Sequence, residues 1–256
     1  SPPMWEIIML RELHAIKALV KKDLLFEPAF RFLVPYFCIS YCAALLWGAL
    51  ESHPAWPLPH ERWGLSTASQ LFIPSVLFSP VLLSYIFVEV IRREKQHTSF
   101  IYLRAFPISP RGLFWGRVFS CWVISMVCIF PVYVLFLVLH VADLVTQDLL
   151  APLVLGIRFP IFLIAVAFFV STVFVGLAMN VSPQLLPVIA AVVGTVVVLM
   201  PLLFSELIMG TEFEFLLFKL VRAVGTMFRA SAALFILSLL LGGMFSQLFS
   251  RKRSYV

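Results

Sequence analysis

The stretch Leu113–His140, LFWGRVFSCWVISMVCIFPVYVLFLVLH, carries one charged side chain, Arg117, near its start. A bilayer's hydrocarbon core is about 30 Å thick, and a helix needs roughly 20 residues to cross it. This stretch is long enough, and it is one of six. The others run over approximately 32–50, 69–91, 152–179, 184–204 and 226–249, with charge almost confined to the segments between them. Lipid offers no partner to exposed backbone N–H and C=O groups, so a crossing segment is a helix or part of a closed barrel. Barrel strands alternate in polarity over about ten residues. The runs Val132–Leu139 and Ala190–Leu199 do not alternate. The expected fold is therefore all-α, a polytopic membrane protein with six transmembrane helices.

Composition agrees. The 256 residues are 62% hydrophobic and 12% charged, against roughly 45–50% and 25% in soluble domains. Six spans and their connectors use nearly the whole chain and leave no room for a separate soluble catalytic domain. The net charge of +6 belongs to topology rather than to nucleic acid. With the N-terminus inside, 14 of the 19 basic residues fall in cytoplasmic segments, the distribution that sets orientation in membrane proteins. Both termini are placed in the cytoplasm. The first apolar block begins late and is followed by five more, so no cleavable signal peptide is read. The four cysteines, Cys38, Cys42, Cys121 and Cys128, all lie inside spans and read as structural thiols rather than a disulfide framework.

Residues 1–28 precede the first span. Met9, Leu13, Ile16, Val20 and Leu24 make one apolar stripe at helical spacing, and Arg11, His14, Lys17 and Lys21 make an opposing polar face. Such a helix lies in the headgroup plane, its cations toward anionic lipid or a protein partner. Pro28 marks its end. The first outside loop, about 51–67, is rich in Pro, Trp and His, but His53 and His60 sit on a Pro-broken loop that fixes no metal geometry. A second outside loop is expected near 142–150, and a short inside connector over 180–183. Between about 205 and 225, Glu206, Glu212, Glu214, Lys219 and Arg222 interleave with apolar residues, which suits a re-entrant or interfacial hairpin. Ionisable groups within spans are functional candidates by default: Glu89, Arg158, Glu206 and Arg229. Snorkelling to the interface is the competing account of the two arginines.

The loop between spans two and three, about 92–112, is the most informative soluble stretch. A charged run containing Arg92, Arg93, Glu94 and Lys95 precedes Thr98, after which Phe100, Leu103 and Phe106 repeat at intervals of three. Pro107-Ile108-Ser109-Pro110 then breaks the chain, with Ser109 placed to cap the next helix and Pro110 at its first position. This describes a short helix held below the membrane by two long spans.

In these positions the chain resembles the membrane subunits of ATP-binding-cassette transporters of the type-2 export class. The matching residues are Arg93, Glu94, Thr98, Leu103, Pro107, Ile108, Ser109, Gly116 and Arg117, with His97 where that family usually has Gly. The resemblance implies an ATPase-coupling element comprising Arg93, Glu94, Thr98, Phe100, Leu103, Phe106, Pro107 and Ser109. It also implies a connecting helix at 1–28 that presents Arg11, Lys17, Lys21 and Lys22, followed by a six-helix domain over 29–256. Its implied partners are a cytoplasmic ATPase dimer, a second copy of this chain or a paralogue, and the lipids of a bacterial inner membrane. No Gly-x4-Gly-Lys-Ser/Thr loop occurs in the sequence, so this chain is expected to bind no cofactor and to catalyse nothing itself. ATP and Mg would belong to the partner. A secondary transporter or channel is the alternative, and an intramembrane enzyme a more distant one. The Phe-, Leu- and Val-rich spans suit an amphipathic or hydrophobic cargo.

Overall fold

The computed structural model describes residues 4–51, 63–96, 109–147, 157, 159–182, 184–185, 188 and 224–253. Among them the regular elements are six α-helices: α1 Met4–Phe26, α2 Pro28–Glu51, α3 Trp63–Gln96, α4 Pro110–Gln147, α5 Phe159–Asn180 and α6 Val224–Arg253. Three stretches are long and apolar enough to cross a membrane: Pro110–Leu135 in α4, Phe159–Asn180 in α5 and Phe228–Arg251 in α6. The protein is thus all-helical with membrane character. The fifth apolar block beyond 188 and the proposed hairpin up to Ala223 lie outside the described residues.

Helix boundaries follow local chemistry. Glu27 is the one non-helical residue between α1 and α2, and Pro28 opens α2, where its missing N–H costs nothing. The Ser109 hydroxyl accepts a hydrogen bond from the Gly112 N–H at 2.9 Å, and Pro110 begins α4. That is the cap its sequence position implies. Pro35 and Pro131 sit inside α2 and α4.

Two connectors are shorter than the sequence suggests. Arg92–Lys95 are not loop: they complete the last turns of α3, which runs to Gln96. The expected coupling loop over 92–112 therefore narrows to the residues between Gln96 and Ser109. Likewise α4 continues through Asp143 to Gln147, into the stretch read as the second outside loop. In both places side chains that look like solvated loop continue a helix, because nothing in Ile-Arg-Arg-Glu-Lys or Ala-Asp-Leu-Val-Thr breaks one.

The bundle centres on α4 and α5. Helix α5 packs against α3, α4 and α6, while α4 also carries α1 and α2. Trp115, Phe119 and Trp122 of α4 meet Phe168 of α5, whose ring centroid lies 5.6 Å from that of Phe235 on α6. Gly176 and Gly242 admit this proximity: a Cβ on Gly176 would sit 2.2 Å from the Phe245 ring, and one on Gly242 would sit 2.3 Å from the Trp115 ring. Small residues also form a polar seam, with Ser84, Ser120, Ser125, Ser171 and Thr172 buried between α3, α4 and α5. Close approach of this kind lets helices pack where lipid removes the hydrophobic drive, and of these hydroxyls Ser84 reaches across to Cys121 while Ser125 and Thr172 bond carbonyls of their own helices.

Helix α1 docks on a face that the apolar stripe defines only in part. Leu19 and Asp23 are buried, whereas Leu13, a stripe member, is 61% exposed. The face against the bundle runs through Ile16, Leu19 and Asp23, and Gly116 of α4 lets it approach: a Cβ there would lie 3.3 Å from Leu19 Cδ2. Of the stripe, Ile16 and Leu24 reach the bundle, whereas Leu13 stands clear of it.

Candidate functional site: a buried ion network at the α1–α3–α4 junction

Arg117 stands seven residues into α4, roughly 10 Å along the helix from Pro110 at 1.5 Å per residue. An isolated guanidinium there would be very costly. Its side chain is 1% exposed, and it donates from Nη1 to both carboxylate oxygens of Asp23, at 2.6 and 2.7 Å. Its Nη2 donates to Glu94 Oε2. Glu94 in turn accepts from Lys22 Nζ at 2.7 Å. Two cations and two anions therefore close on one another, with only Lys22 substantially exposed, at 45%. The planar fork of arginine suits this task, since it reaches two carboxylates at fixed angles. Gly116 and Arg117 act as a unit: the glycine brings α1 close, and the arginine binds the acid that proximity delivers.

The electrostatics follow from this geometry. Burial alone would raise the Glu94 carboxyl, but the charges and hydrogen bonds of Arg117 and Lys22 outweigh it and hold that carboxyl below its ordinary value. Glu27 moves the other way. Burial, reinforced by the negative charges of Glu94 and Asp23, pushes it up.

The next residue ties in a further helix. Lys95 Nζ donates to the carbonyls of Ala178, Met179 and Val181 at 2.6, 3.0 and 3.2 Å, capping the negative end of α5. Asn180, the last residue of α5, donates from Nδ2 to Phe245 O of α6 at 3.2 Å. Through Glu94 and Lys95, one turn of α3 thus touches α1, α4 and α5, and Asn180 extends the chain of contacts to α6. The cores beneath are apolar: Leu19, Phe30, Phe87, Ile91, Leu113 and Phe114 pack under the network.

Of the residues singled out from sequence, Glu94 and Lys22 lie in the network and Ser109 caps α4. Arg93 is 68% exposed and, among the described residues, pairs with Glu89 at 3.5 Å. Glu89 itself pairs with Arg92, accepting at 2.6 and 2.8 Å, so this intramembrane candidate is a local i,i+3 pair. Lys17 and Lys21 are exposed on α1, and Arg229 is exposed on α6. Arg11 lies in α1. Thr98, Phe100, Leu103, Phe106, Pro107, Arg158 and Glu206 lie outside the described residues, as do His53 and His60. The cysteines are unbridged: the Cys121 Sγ lies 3.3 Å from Ser84 Oγ, and Cys38 donates to the Cys128 carbonyl at 3.6 Å. Among the described residues, no group of three or more His, Cys, Asp or Glu could hold a metal ion.

Asp23 was missed in sequence. The signal was present, since it is an acid among basic neighbours and falls in helical register with Ile16 and Leu19. Nothing in the sequence, however, ties it to Arg117, 94 residues away.

Fold and site together define an all-helical protein with membrane-length helices and a buried ionic junction at one end of its bundle. Set against known protein families, curated proteins and solved structures, the chain matches none of them.

Proposed function

We propose that this chain is the permease subunit of an ATP-binding-cassette exporter of the type-2 class, moving an amphipathic or hydrophobic cargo with ATP hydrolysed by a separate subunit. In this reading six helices cross the bilayer, both termini are cytoplasmic, and residues 205–225 re-enter from the outer side. Two such subunits, identical or paralogous, sit on an ATPase dimer. Residues about 97–106 form the helix that docks on the ATPase, with α1 beside it.

The observation that carries this reading is the placement of the ion network. Its two inner members on α3 and α4, Glu94 and Arg117, flank the docking segment in sequence, and the third, Asp23, belongs to α1. A force applied to that docking helix acts first on Glu94 and Lys95, and through them on α1, α4 and α5. Cross-helix contacts of this kind suit the transmission of a push to a bundle that switches between two packings. Nucleotide can bias that switch only by its differential affinity for the two states.

The test uses the full chain co-purified with its ATPase and reconstituted in vesicles. Replacing Leu103 and Phe106 together by Asp should abolish transport-coupled ATP hydrolysis while membrane insertion stays normal. Unchanged coupling, or purified complexes that contain no ATPase, would reject the assignment.

A further inference from the structure

Helix α1 presents more than its docking face. At about 100° per residue, Leu13, Val20 and Leu24 fall within roughly 40° of one another, and their centre lies roughly 90° from the buried face through Ile16, Leu19 and Asp23. Lys17 and Lys21 come next around the helix, one turn apart, both exposed. Together Lys17, Val20, Lys21, Leu24 and Leu25 line an open groove with an apolar wall, the lysines contributing their aliphatic stems and leaving their ammonium groups at its rim. Leu25 in its lining and Leu13 beside it are 50% and 61% exposed. No acidic residue lines the groove, and Asp23, on the docking face, is held by Arg117. The apolar flank, the cation pair and the packing of α1 on the start of a membrane-length helix put one kind of molecule within reach of all of them.

We infer that this groove binds one anionic phospholipid, its phosphate between Lys17 and Lys21 and its glycerol and upper acyl region against Val20, Leu24 and Leu25. Side chains at i and i+4 stand about 5–6 Å apart at Cβ, so two lysine ammoniums can close on a single phosphate. The apolar flank accounts for the exposed leucines, which a free anion or a purely acidic protein surface would leave in water. The pairing of Asp23 with Arg117 matters here as well: it fixes the rotation of α1, so the lysines stay at headgroup level and the apolar flank faces the acyl chains.

This inference rests on the chain being seated in a membrane and not on the exporter reading, and its test needs no ATPase. The purified full chain is equilibrated with an equal mixture of phosphatidylglycerol and phosphatidylcholine, and lipid retention is read by native mass spectrometry. Retention of one phosphatidylglycerol is expected, in preference over phosphatidylcholine. The double variant Lys17→Gln/Lys21→Gln should lose that preference by roughly 10- to 30-fold, the loss that two near-surface lysines carry. Lys17→Arg/Lys21→Arg and the distant Lys252→Gln should keep it. A nitroxide placed at position 13 in a cysteine-free background should be reached by oxygen and shielded from a water-soluble nickel chelate. Equal retention of both lipids, undiminished preference in the Gln variant, or a water-exposed nitroxide would each overturn the proposal. So would crosslinking of Lys17 to an acidic protein surface in the absence of lipid preference.

Discussion

Within six residues of α3 stand two ionic groupings that look alike in sequence and differ in every physical respect. Glu89 binds Arg92 and Arg93, its own neighbours at i+3 and i+4, with Arg93 exposed and the other two about a third exposed. Glu94 binds Lys22 of α1 and Arg117 of α4, far away in sequence, and is 11% exposed where Arg117 is 1% exposed. The first pair adds nothing to the association of helices, because both its ends ride on one element, and solvent screens it. The second joins three elements and is shielded from water. A buried ion network stabilises little compared with an apolar replacement of the same shape, but removing one member leaves its partners charged and unpaired. Position within the bundle, rather than residue type, decides which ion pair matters.

The sharpest way to break this contrast is Arg117→Met. It strands Asp23 and Glu94 against Lys22 alone, and a loss of about 3–5 kcal/mol is expected, read as a lowered thermal unfolding midpoint in detergent. The companion variant Asp23→Asn/Glu94→Gln/Arg117→Met removes the stranded charges and should recover much of that loss. Strong non-additivity among the single and combined variants would locate the energy in the network as a unit.

A pH series sharpens the comparison further. The Glu94 carboxyl lies below its ordinary value of 4.5 in the folded protein. Its contribution is therefore fully present above that value and is lost as pH falls through the depressed one. Thermal midpoints measured from pH 7 downward should fall more steeply below about pH 4.5 in the wild type than in Glu94→Gln. Parallel curves would show that Glu94 gains nothing from its partners.

The smallest effect belongs to the local pair. Glu89→Gln should leave the thermal midpoint unchanged within the error of the melt, because Arg92 and Arg93 stay solvated when their partner is lost. A drop comparable with that of Arg117→Met would show Glu89 to be more than a local partner.

Much of this was legible in the chain. Ser109-Pro110 announced the start of α4 because a capping hydroxyl and an absent N–H are local requirements, met within one turn. The helix over 4–26 was legible for the same reason, as was the membrane length of the apolar stretches in α4, α5 and α6. The docking face of α1 was not. Hydrophobic periodicity points to Met9, Leu13, Ile16, Val20 and Leu24, whereas the bundle takes only part of that stripe, Ile16 and Leu24, and adds Leu19 and Asp23, where Gly116 gives room and Arg117 offers a partner. Periodicity reports where apolar atoms lie, and in a membrane-seated protein lipid competes with the bundle for them. The stripe then has two possible owners, and only packing assigns it.

Sequence by itself determined the class of this protein: helical, membrane-length, with charge gathered at the ends of its apolar blocks. These are properties of a single segment in its solvent, fixed by the backbone's need for internal hydrogen bonds in lipid. Tertiary structure alone decided which charges meet. Arg117, Asp23, Glu94 and Lys22 come from three helices. Their pairing depends on distances that no local pattern encodes, since a Coulombic partner is chosen by proximity in space and by the removal of water.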